Sequence, residues 1–199
     1  NYYHTCVLTS SGGVKCWGHN GNGQLGDGTT TDRLSLVDVS GLASGVQAIT
    51  ATSSNHTCAL TSTGGVKCWG GDFAGQLGNG VFTTTHPLPV DVVNLSSGVK
   101  EVAAGWAHTC AVTDAGGLKC WGHNAYGQLG DDTQANRPTP IEVIGMASGT
   151  TSVAAGRSHT CAINTVGGIF CWGENDYGQL GVGRLTDSLT PVAVGGLDD

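Results

Sequence analysis

The feature that most constrains this chain is a repeat, whose copies start 52, 52 and 51 residues apart. His-Thr-Cys, nine further residues and Cys-Trp-Gly recur four times, beginning at His4, His56, His108 and His159. Each copy is followed by Gly-Gln-Leu-Gly, which ends at Gly26, Gly78, Gly130 or Gly181. A fixed period of this length indicates a solenoid, propeller or array, because each unit must bury its apolar face against its neighbours. We therefore describe residues 1–199 as one array of four repeats, at 1–52, 53–104, 105–155 and 156–199, the last of them incomplete.

Each repeat carries short β-rich runs separated by glycine, serine and threonine, which is typical of strands joined by tight turns. The runs HTCALT and GGVKCWG predict a hairpin, and the glycine pair that begins with Gly12 supplies a tip at positive φ. A third strand is expected in stretches such as PTPIEV, and a fourth in runs such as GVQAITA. The predicted fold class is all-β, with tandem four-stranded repeats of about 51 residues that form β-propeller blades, in a partial propeller or an open repeat array.

Alignment of the copies shows that the chain contains four repeats less one strand, the counterpart of the run GTTSVAA after Ser148. A closed ring needs that strand to complete its last blade. We expect the strand to come from further chain or from an adjacent subunit, and one longer chain is the favoured source. An adjacent subunit would make head-to-tail contacts, which form open filaments when the rotation does not close.

Eight cysteines lie in pairs on the two strands of each predicted hairpin. Pairing Leu8 with Val14 places Cys6 opposite Cys16, and opposed residues of an antiparallel pair are close enough for a disulfide. The predicted disulfides join Cys6 to Cys16, Cys58 to Cys68, Cys110 to Cys120, and Cys161 to Cys171. The alternatives are eight buried free thiols, which give no reason to keep both members of every pair, and a zinc site, whose usual spacing differs. Disulfides persist outside the cytosol, so the predicted location is extracellular or at the cell surface, or else the periplasm.

One histidine and one tryptophan recur in every repeat, and repetition argues for structural roles. The histidines that begin the copies are interpreted as a repeated structural hydrogen bond, because a catalytic histidine would be expected once. The tryptophans are interpreted as core residues between neighbouring sheets: Trp17, Trp69, Trp121 and Trp172. The remaining histidines do not form a complete set and receive no role: His19, His86 and His123.

Charge and motif content exclude several function classes. Eight Lys plus Arg against fifteen Asp plus Glu give a net charge of −7, and no basic run is present, so nucleic acid is not expected as a partner. No apolar stretch is long enough for a membrane span. No Ser-His-Asp order, nucleophile elbow, HExxH or Walker motif occurs, so we expect no catalytic residue, no cofactor and no enzyme activity. Asp27 and the pair Asp131-Asp132 follow Gly-Gln-Leu-Gly, but they are interpreted as solvated loop acids and no metal site is predicted.

Residues 103–130, AAGWAHTCAVTDAGGLKCWGHNAYGQLG, closely resemble the repeat of the regulator-of-chromosome-condensation family, in a secreted, disulfide-bearing variant. The four copies of this pattern cover essentially the whole chain. The resemblance implies four-stranded blades of a propeller that has seven blades in the known members. Functions known in the family include nucleotide exchange on a small GTPase, ultraviolet-B perception in plants and secreted inhibition of β-lactamases, so the resemblance does not select a function.

Aromatic residues in the loops are the candidate binding residues. Phe73, Tyr126 and Tyr177 occupy one equivalent position, with Asn22 in the remaining copy, and packing between adjacent loops is the alternative role. Trp106 is a further candidate, because its equivalents differ from it: Tyr2, Ser54 and Arg157. A plant-type light sensor depends on clustered tryptophans at its interaction surface, so a single tryptophan argues against photoreception.

These observations predict a non-enzymatic extracellular repeat scaffold or protein-binding module, which could belong to a surface or filamentous assembly. The alternative is a secreted inhibitor-type propeller that caps an enzyme active site. The expected partner is another protein or a second copy of the chain, whereas an intracellular exchange factor conflicts with the paired cysteines. Asn94 and Asn55 begin acceptor triplets for N-glycosylation, and Asn94 is the better candidate because Asn55 abuts a strand.

Overall fold

The computed structural model describes residues 3–51 and 55–196, and every regular element in these two ranges is a β-strand. The strands form four antiparallel sheets. The first sheet contains β1 (His4–Leu8), β2 (Val14–Gly18) and β3 (Arg33–Asp38). The second contains β4 (Val46–Thr50), β5 (His56–Thr61), β6 (Val66–Gly71) and β7 (Thr85–Asp91). The third contains β8 (Val99–Ala104), β9 (His108–Thr113), β10 (Leu118–Gly122) and β11 (Arg137–Glu142). The fourth contains β12 (Thr150–Ala155), β13 (His159–Asn164), β14 (Ile169–Gly173) and β15 (Ser188–Ala193).

Strands follow one another across each sheet in chain order, which confirms the predicted all-β, four-stranded units in the second, third and fourth sheets. The inner strand β8 lies between the inner strands β4 and β12 and contacts both, as neighbouring inner strands of propeller blades do. The sheets are offset from the predicted repeats, because the strand that ends each repeat pairs with the hairpin of the next repeat. The boundary at 52 and 53 and the two chain ends at Asn1 and Asp199 lie outside the described residues.

Each hairpin closes in the register that the cysteine spacing predicts. Cys6 opposes Cys16, and the Thr9 amide donates to the Gly13 carbonyl oxygen at 2.8 Å. Gly12 sits at the tip with φ of +78°, a conformation that glycine adopts without the steric cost of a Cβ atom. The structure contains all four predicted disulfides, each with Cα atoms 4.1 Å apart: Cys6–Cys16, Cys58–Cys68, Cys110–Cys120 and Cys161–Cys171.

The tryptophans pack between sheets, as predicted. Trp69, Trp121 and Trp172 are fully buried. The indole N–H of each donates to a backbone carbonyl in the preceding Gly-Gln-Leu-Gly loop, on Gln24, Gln76 and Gln128 respectively, at 2.9, 3.0 and 2.9 Å. Trp17 is only half-buried, because no described residue packs another sheet against its side of the first sheet.

Candidate functional site

A histidine relay links each sheet to the next one. The Thr57 hydroxyl donates to the Gln24 carbonyl oxygen at 3.0 Å, and His4 Nε2 lies 2.9 Å from the Thr57 Oγ1. Because the Thr57 hydroxyl hydrogen is donated to the carbonyl oxygen, the hydroxyl oxygen can only accept a hydrogen bond from the imidazole. His4 therefore carries its proton on Nε2. Two further relays have the same geometry, from His56 through Thr109 and from His108 through Thr160.

Burial lowers the pKa of the relay histidines well below that of a free imidazole. The pKa is lowered to about 4 in His4 and to about 3 in both His56 and His108, and neighbouring histidines add to the effect of burial. All three imidazoles are therefore neutral at physiological pH. A buried, neutral imidazole whose proton is held by a threonine is a structural group, which agrees with the predicted role of these histidines.

The Gly-Gln-Leu-Gly loops present their residues at one end of the sheets. A buried asparagine holds three of the loops together, and Asp72 takes its place in the second loop. Asn20 donates its side-chain amide to the Thr29 carbonyl oxygen and to the Asp27 carboxylate, at 3.0 and 3.1 Å. Arg33 donates to the same carboxylate at 2.7 Å. The third sheet repeats this arrangement with Asn124, Asp131 and Arg137.

The interpretation of Asp27 and Asp131 as solvated loop acids is wrong. Their side chains are only 7% and 10% exposed, and each accepts hydrogen bonds from an arginine and a threonine. Burial alone would raise the pKa of both carboxyls, but the hydrogen bonds from threonine and arginine outweigh it and lower the pKa. These acids stabilise the loops that carry the candidate binding residues.

Four rings form a continuous row at this end of the second and third sheets, which we call the aromatic row: Phe73, Trp106, His123 and Tyr126. Ring centroids are 5.7 Å apart between Phe73 and Trp106, 6.0 Å between Trp106 and His123, and 6.5 Å between His123 and Tyr126. The rings come from the loops between β6 and β7, β8 and β9, and β10 and β11. Phe73 and Tyr126 are 48% and 36% exposed, so the row offers an apolar surface to a ligand.

The glutamine of Gly-Gln-Leu-Gly holds His123 in the aromatic row. Gln128 Oε1 accepts from the Tyr126 backbone N–H at 3.0 Å, which orients the amide so that Nε2 donates to His123 Nδ1 at 2.9 Å. His123 therefore carries its proton on Nε2, and burial lowers the pKa of its imidazole. The ring is a neutral, rigidly held member of the row.

Arg157 places a positive charge beside the aromatic row, with its guanidinium carbon 5.7 Å from the centre of the Trp106 ring. Five of the eight basic side chains form ion pairs, and Lys100 donates to the Thr150 carbonyl oxygen. In residues 3–51 and 55–196, only Arg157 and Arg184 have neither an ion-pair nor a hydrogen-bond partner for their guanidinium groups. The five N–H donors of Arg157 are thus available to a carboxylate.

The structure brings together three of the four predicted binding residues: Phe73, Trp106 and Tyr126. Tyr177 is 90% exposed and makes no ring contact within the described ranges, so it stands apart from the row. Sequence reasoning missed His123 and Arg157. The sequence did contain one indication of the role of Arg157, because this residue takes the position of Trp106 in the fourth repeat. All four predicted residues remain candidates for binding.

The two glycosylation candidates differ in exposure. Asn94 is exposed in the loop after β7, with φ of +59°, and Asn55 is half-buried directly before β5. This agrees with the preference for Asn94, and modification of either residue stays a prediction. No group of three or more His, Cys, Asp or Glu within the described ranges could hold a metal ion. The same ranges contain no helix of the length and apolarity that a membrane span requires.

Two family models described as the regulator of chromosome condensation (RCC1) repeat match the chain. One matches residues 1–24, 46–76, 99–128 and 151–179, and the other matches 63–112, 116–163 and 166–199. The ultraviolet-B receptor UVR8 of Arabidopsis thaliana is 35% identical over 98% of this chain and 45% of the receptor. The human E3 ubiquitin-protein ligase HERC2 is 34% identical over 98% of this chain and 4% of the ligase.

Solved structures with the same fold include human WBSCR16, with a TM-score of 0.85 at 25% identity over 98% of this chain and 51% of that one. Yeast RCC1 (Prp20), solved with Kap60 bound, gives 0.85 at 24% identity over 98% of this chain and 47% of that one. The chain therefore spans about half of these two structures and less than half of both curated relatives. The likeness confirms the predicted propeller fold class.

Proposed function

This chain belongs to the regulator of chromosome condensation (RCC1) repeat family, and on that premise we propose that it is a non-enzymatic protein-binding propeller. The proposed binding surface is the aromatic row together with Arg157. The proposed ligand is an acidic segment of another protein, with an aromatic or aliphatic residue beside its carboxylate. The observation that carries the proposal is the unneutralised guanidinium of Arg157 next to the Trp106 ring.

The chemistry of the surface favours this class of ligand. Exposed aromatic rings are typical anchors of protein interfaces, because they bury a large area at a low cost in conformational entropy. A hydrogen bond from Gln128 holds His123 before any ligand arrives, which reduces the cost of ordering the site. A ligand carboxylate can accept two parallel hydrogen bonds from Arg157 while its neighbour packs on the rings. The chain's net charge of −7 makes this cation a specific feature rather than part of a basic surface.

We further propose that the protein works outside the cytosol, as an extracellular or cell-surface scaffold. Support comes from the four disulfides, which an oxidising compartment maintains. Antibody detection on intact cells and in the growth medium of the source organism tests this location. Detection confined to the cytosol would contradict it.

Selection of a random peptide library displayed on phage tests the binding proposal. We expect enriched peptides with Asp or Glu beside an aromatic or aliphatic residue. Arg157→Ala should weaken binding of these peptides about tenfold to a hundredfold, which corresponds to the loss of a charge-assisted hydrogen bond. Arg184→Ala, which changes the other unpaired arginine, should leave binding unchanged. Tyr126→Ala should weaken binding more than Tyr177→Ala, which changes a tyrosine outside the row. Selected peptides that bind Arg157→Ala and Trp106→Ala variants as tightly as the unmodified chain would overturn the proposal.

A secreted inhibitor of an enzyme is the second candidate, favoured by the protrusion of Tyr177, which is 90% exposed at a loop tip. In this case the loop aromatics would enter an active-site cleft. The rate of substrate hydrolysis by a β-lactamase, measured with increasing concentrations of the chain, tests it. Inhibition that is lost in Tyr177→Ala supports this candidate, and an unchanged rate at saturating chain concentration excludes it for that enzyme.

A further inference from the structure

A pocket of about 420 Å³, which we call the Phe170 pocket, lies between the third and fourth sheets. Its walls come from the segment between β11 and β12, from the turn that joins β13 to β14, and from β14 and β15. All of these walls belong to residues 144–191, within the described range 55–196. The lining includes Ile144, Met146, Thr150, Val166, Phe170 and Pro191.

An ion pair that the other three sheets share is replaced by apolar residues at this pocket. In each of those sheets a lysine on the second strand of the hairpin pairs with a carboxylate on the last strand: Lys15 with Asp38, Lys67 with Asp91, and Lys119 with Glu142. The same two positions of the fourth sheet hold Phe170 and Ala193, which oppose each other. Val166 stands at the turn, where the other hairpins have serine, threonine or alanine. Among the described residues, no charged side chain lines the pocket.

One buried hydroxyl group in the lining has no hydrogen-bond partner. Thr150 is 3% exposed, and its backbone N–H and C=O groups bond to Gly116 and Lys100. Within residues 3–51 and 55–196, no protein group forms a hydrogen bond with Thr150 Oγ1. The equivalent residues are Val46 and Val99, which have the same shape without the hydroxyl. The fourth sheet thus carries a polar atom where an apolar side chain serves in two other sheets, and a ligand that bonds to it would remove the cost of leaving it unpaired.

The shape and chemistry of the pocket specify a class of ligand. A volume of 420 Å³ lies within the range of about 300–1,000 Å³ that is typical of small-molecule sites. Phe170, Met146 and Pro191 provide apolar walls, and an ionic ligand would lose its hydration there without gaining a countercharge. The Thr150 hydroxyl can donate or accept one hydrogen bond, so it suits a single neutral oxygen on the ligand.

We propose that the Phe170 pocket binds a small, uncharged molecule with an aromatic or aliphatic body and one hydroxyl or carbonyl oxygen. The body packs against Phe170, and the oxygen forms a hydrogen bond with Thr150 Oγ1. The aromatic row lies on the connections that follow β6, β8 and β10, whereas the pocket uses those that follow β11 and β13. Because successive connections of antiparallel strands alternate between the two ends of a sheet, the two sites lie at opposite ends, and either proposal can fail without the other.

The methyl group of Met146 reports on the pocket, because Met146 lines it and is the only methionine in the chain. A chain labelled with carbon-13 at the methionine methyl group therefore gives one NMR signal. Titration with 2-naphthol should move this signal in a saturable way, since the ring current of a bound aromatic molecule shifts nearby methyl signals. 2-Naphthoate, which carries a carboxylate in place of the hydroxyl, should bind at least about tenfold more weakly.

Thr150→Val tests the hydroxyl group separately from the apolar walls, and it introduces the residue that two other sheets already contain. This variant should weaken binding of 2-naphthol about threefold to tenfold, the effect of losing one neutral hydrogen bond. Binding of naphthalene, which has no hydroxyl, should not be weakened. Thr30→Val, at an exposed position in a loop of the first sheet, is the matched control and should change neither affinity.

Phe170→Lys combined with Ala193→Asp tests the apolar wall, because the two changes restore the ion pair of the other sheets. The double variant should bind 2-naphthol at least about tenfold more weakly, and thermal unfolding establishes that it is folded. The proposal is overturned if the Met146 signal shows no saturable change, if 2-naphthoate binds as tightly as 2-naphthol, or if Thr150→Val affects 2-naphthol and naphthalene equally. Undiminished binding of 2-naphthol by the double variant would also overturn it, because the ligand would then lie elsewhere.

Discussion

As the pH falls, this protein should lose stability before most of its carboxyl groups are protonated, because the three relay histidines are buried in their neutral form. The ordinary pKa of histidine is 6.5, and the folded chain lowers it to about 4 in His4 and to about 3 in His56 and His108. A lowered pKa in the folded state means that the unfolded chain binds protons first as the pH falls. The histidine contribution to stability is therefore complete above pH 6.5 and is lost progressively below it.

The decrease in the free energy of unfolding depends on how far the pH of the measurement lies below the ordinary pKa of histidine. Because pH 4.5 is two units below the ordinary histidine pKa, protonation of the unfolded chain costs the fold about 3 kcal/mol per residue and about 8 kcal/mol for three residues. This is comparable with the whole stability of a typical domain, about 5–15 kcal/mol. Asp27 and Asp131, whose pKa is lowered in the fold, add to the loss only at lower pH, and Asp72, whose pKa burial raises, opposes it.

Guanidinium unfolding at several pH values, followed by tryptophan fluorescence with the disulfides intact, measures this effect. Between pH 6 and pH 4.5 the free energy of unfolding should fall by at least about 4 kcal/mol per pH unit, the slope for three protons. His123 and His159, whose pKa burial also lowers, add to this slope. His108→Gln removes one proton from the count and should reduce the slope by the contribution of one proton, about a third of the part that comes from the relay histidines. His86→Gln, which lies outside the relays, is the matched control. If the free energy of unfolding of the unmodified chain changes with pH by no more than the slope expected for one proton, the reasoning is refuted.

Two further predictions concern the scaffold. Gly78 has φ of +70° and a Cβ there would lie 2.6 Å from Trp121 Nε1, whereas Gly98 has φ of +77° with no atom within 4 Å. Gly78→Ala should therefore lower the free energy of unfolding by several kcal/mol, and Gly98→Ala by only about 1 kcal/mol. Equal decreases for the two variants would show that the Trp121 indole moves to accommodate the added Cβ atom. Replacing Cys58 and Cys68 by serine should lower that free energy by roughly 2–3 kcal/mol. Non-reducing peptide mapping of the unmodified chain should find bonds only within hairpins, and any bond between hairpins would contradict the register.

The hairpins were predictable because the information that defines them is local. The ten-residue separation of Cys6 and Cys16, with Gly12 at a tip that requires positive φ, leaves one register for two short strands. Grouping of strands into sheets was harder, because the inner strand pairs across the boundary of the sequence repeat. Asp27 was misjudged for a related reason. Its partners Asn20 and Arg33 lie in an irregular loop, where neither periodicity nor turn chemistry shows which side chains point inward.

The aromatic row could not be predicted from the period, since it depends on where the repeats differ. Phe73, Tyr126 and Tyr177 are equivalent, and equivalence alone suggests three similar sites. In the structure, Trp106 connects Phe73 to His123, and His123 connects to Tyr126.

In the fourth sheet the two connecting rings are replaced by charged residues, because Arg157 takes the position of Trp106 and Glu174 that of His123. The row therefore ends at Tyr126, the guanidinium of Arg157 lies beside Trp106, and Tyr177 is left without a ring neighbour in the described ranges. A scaffold that repeats regularly thus carries one asymmetric surface, and under the proposed function this asymmetry would let a partner select one place on the propeller instead of binding each blade equally.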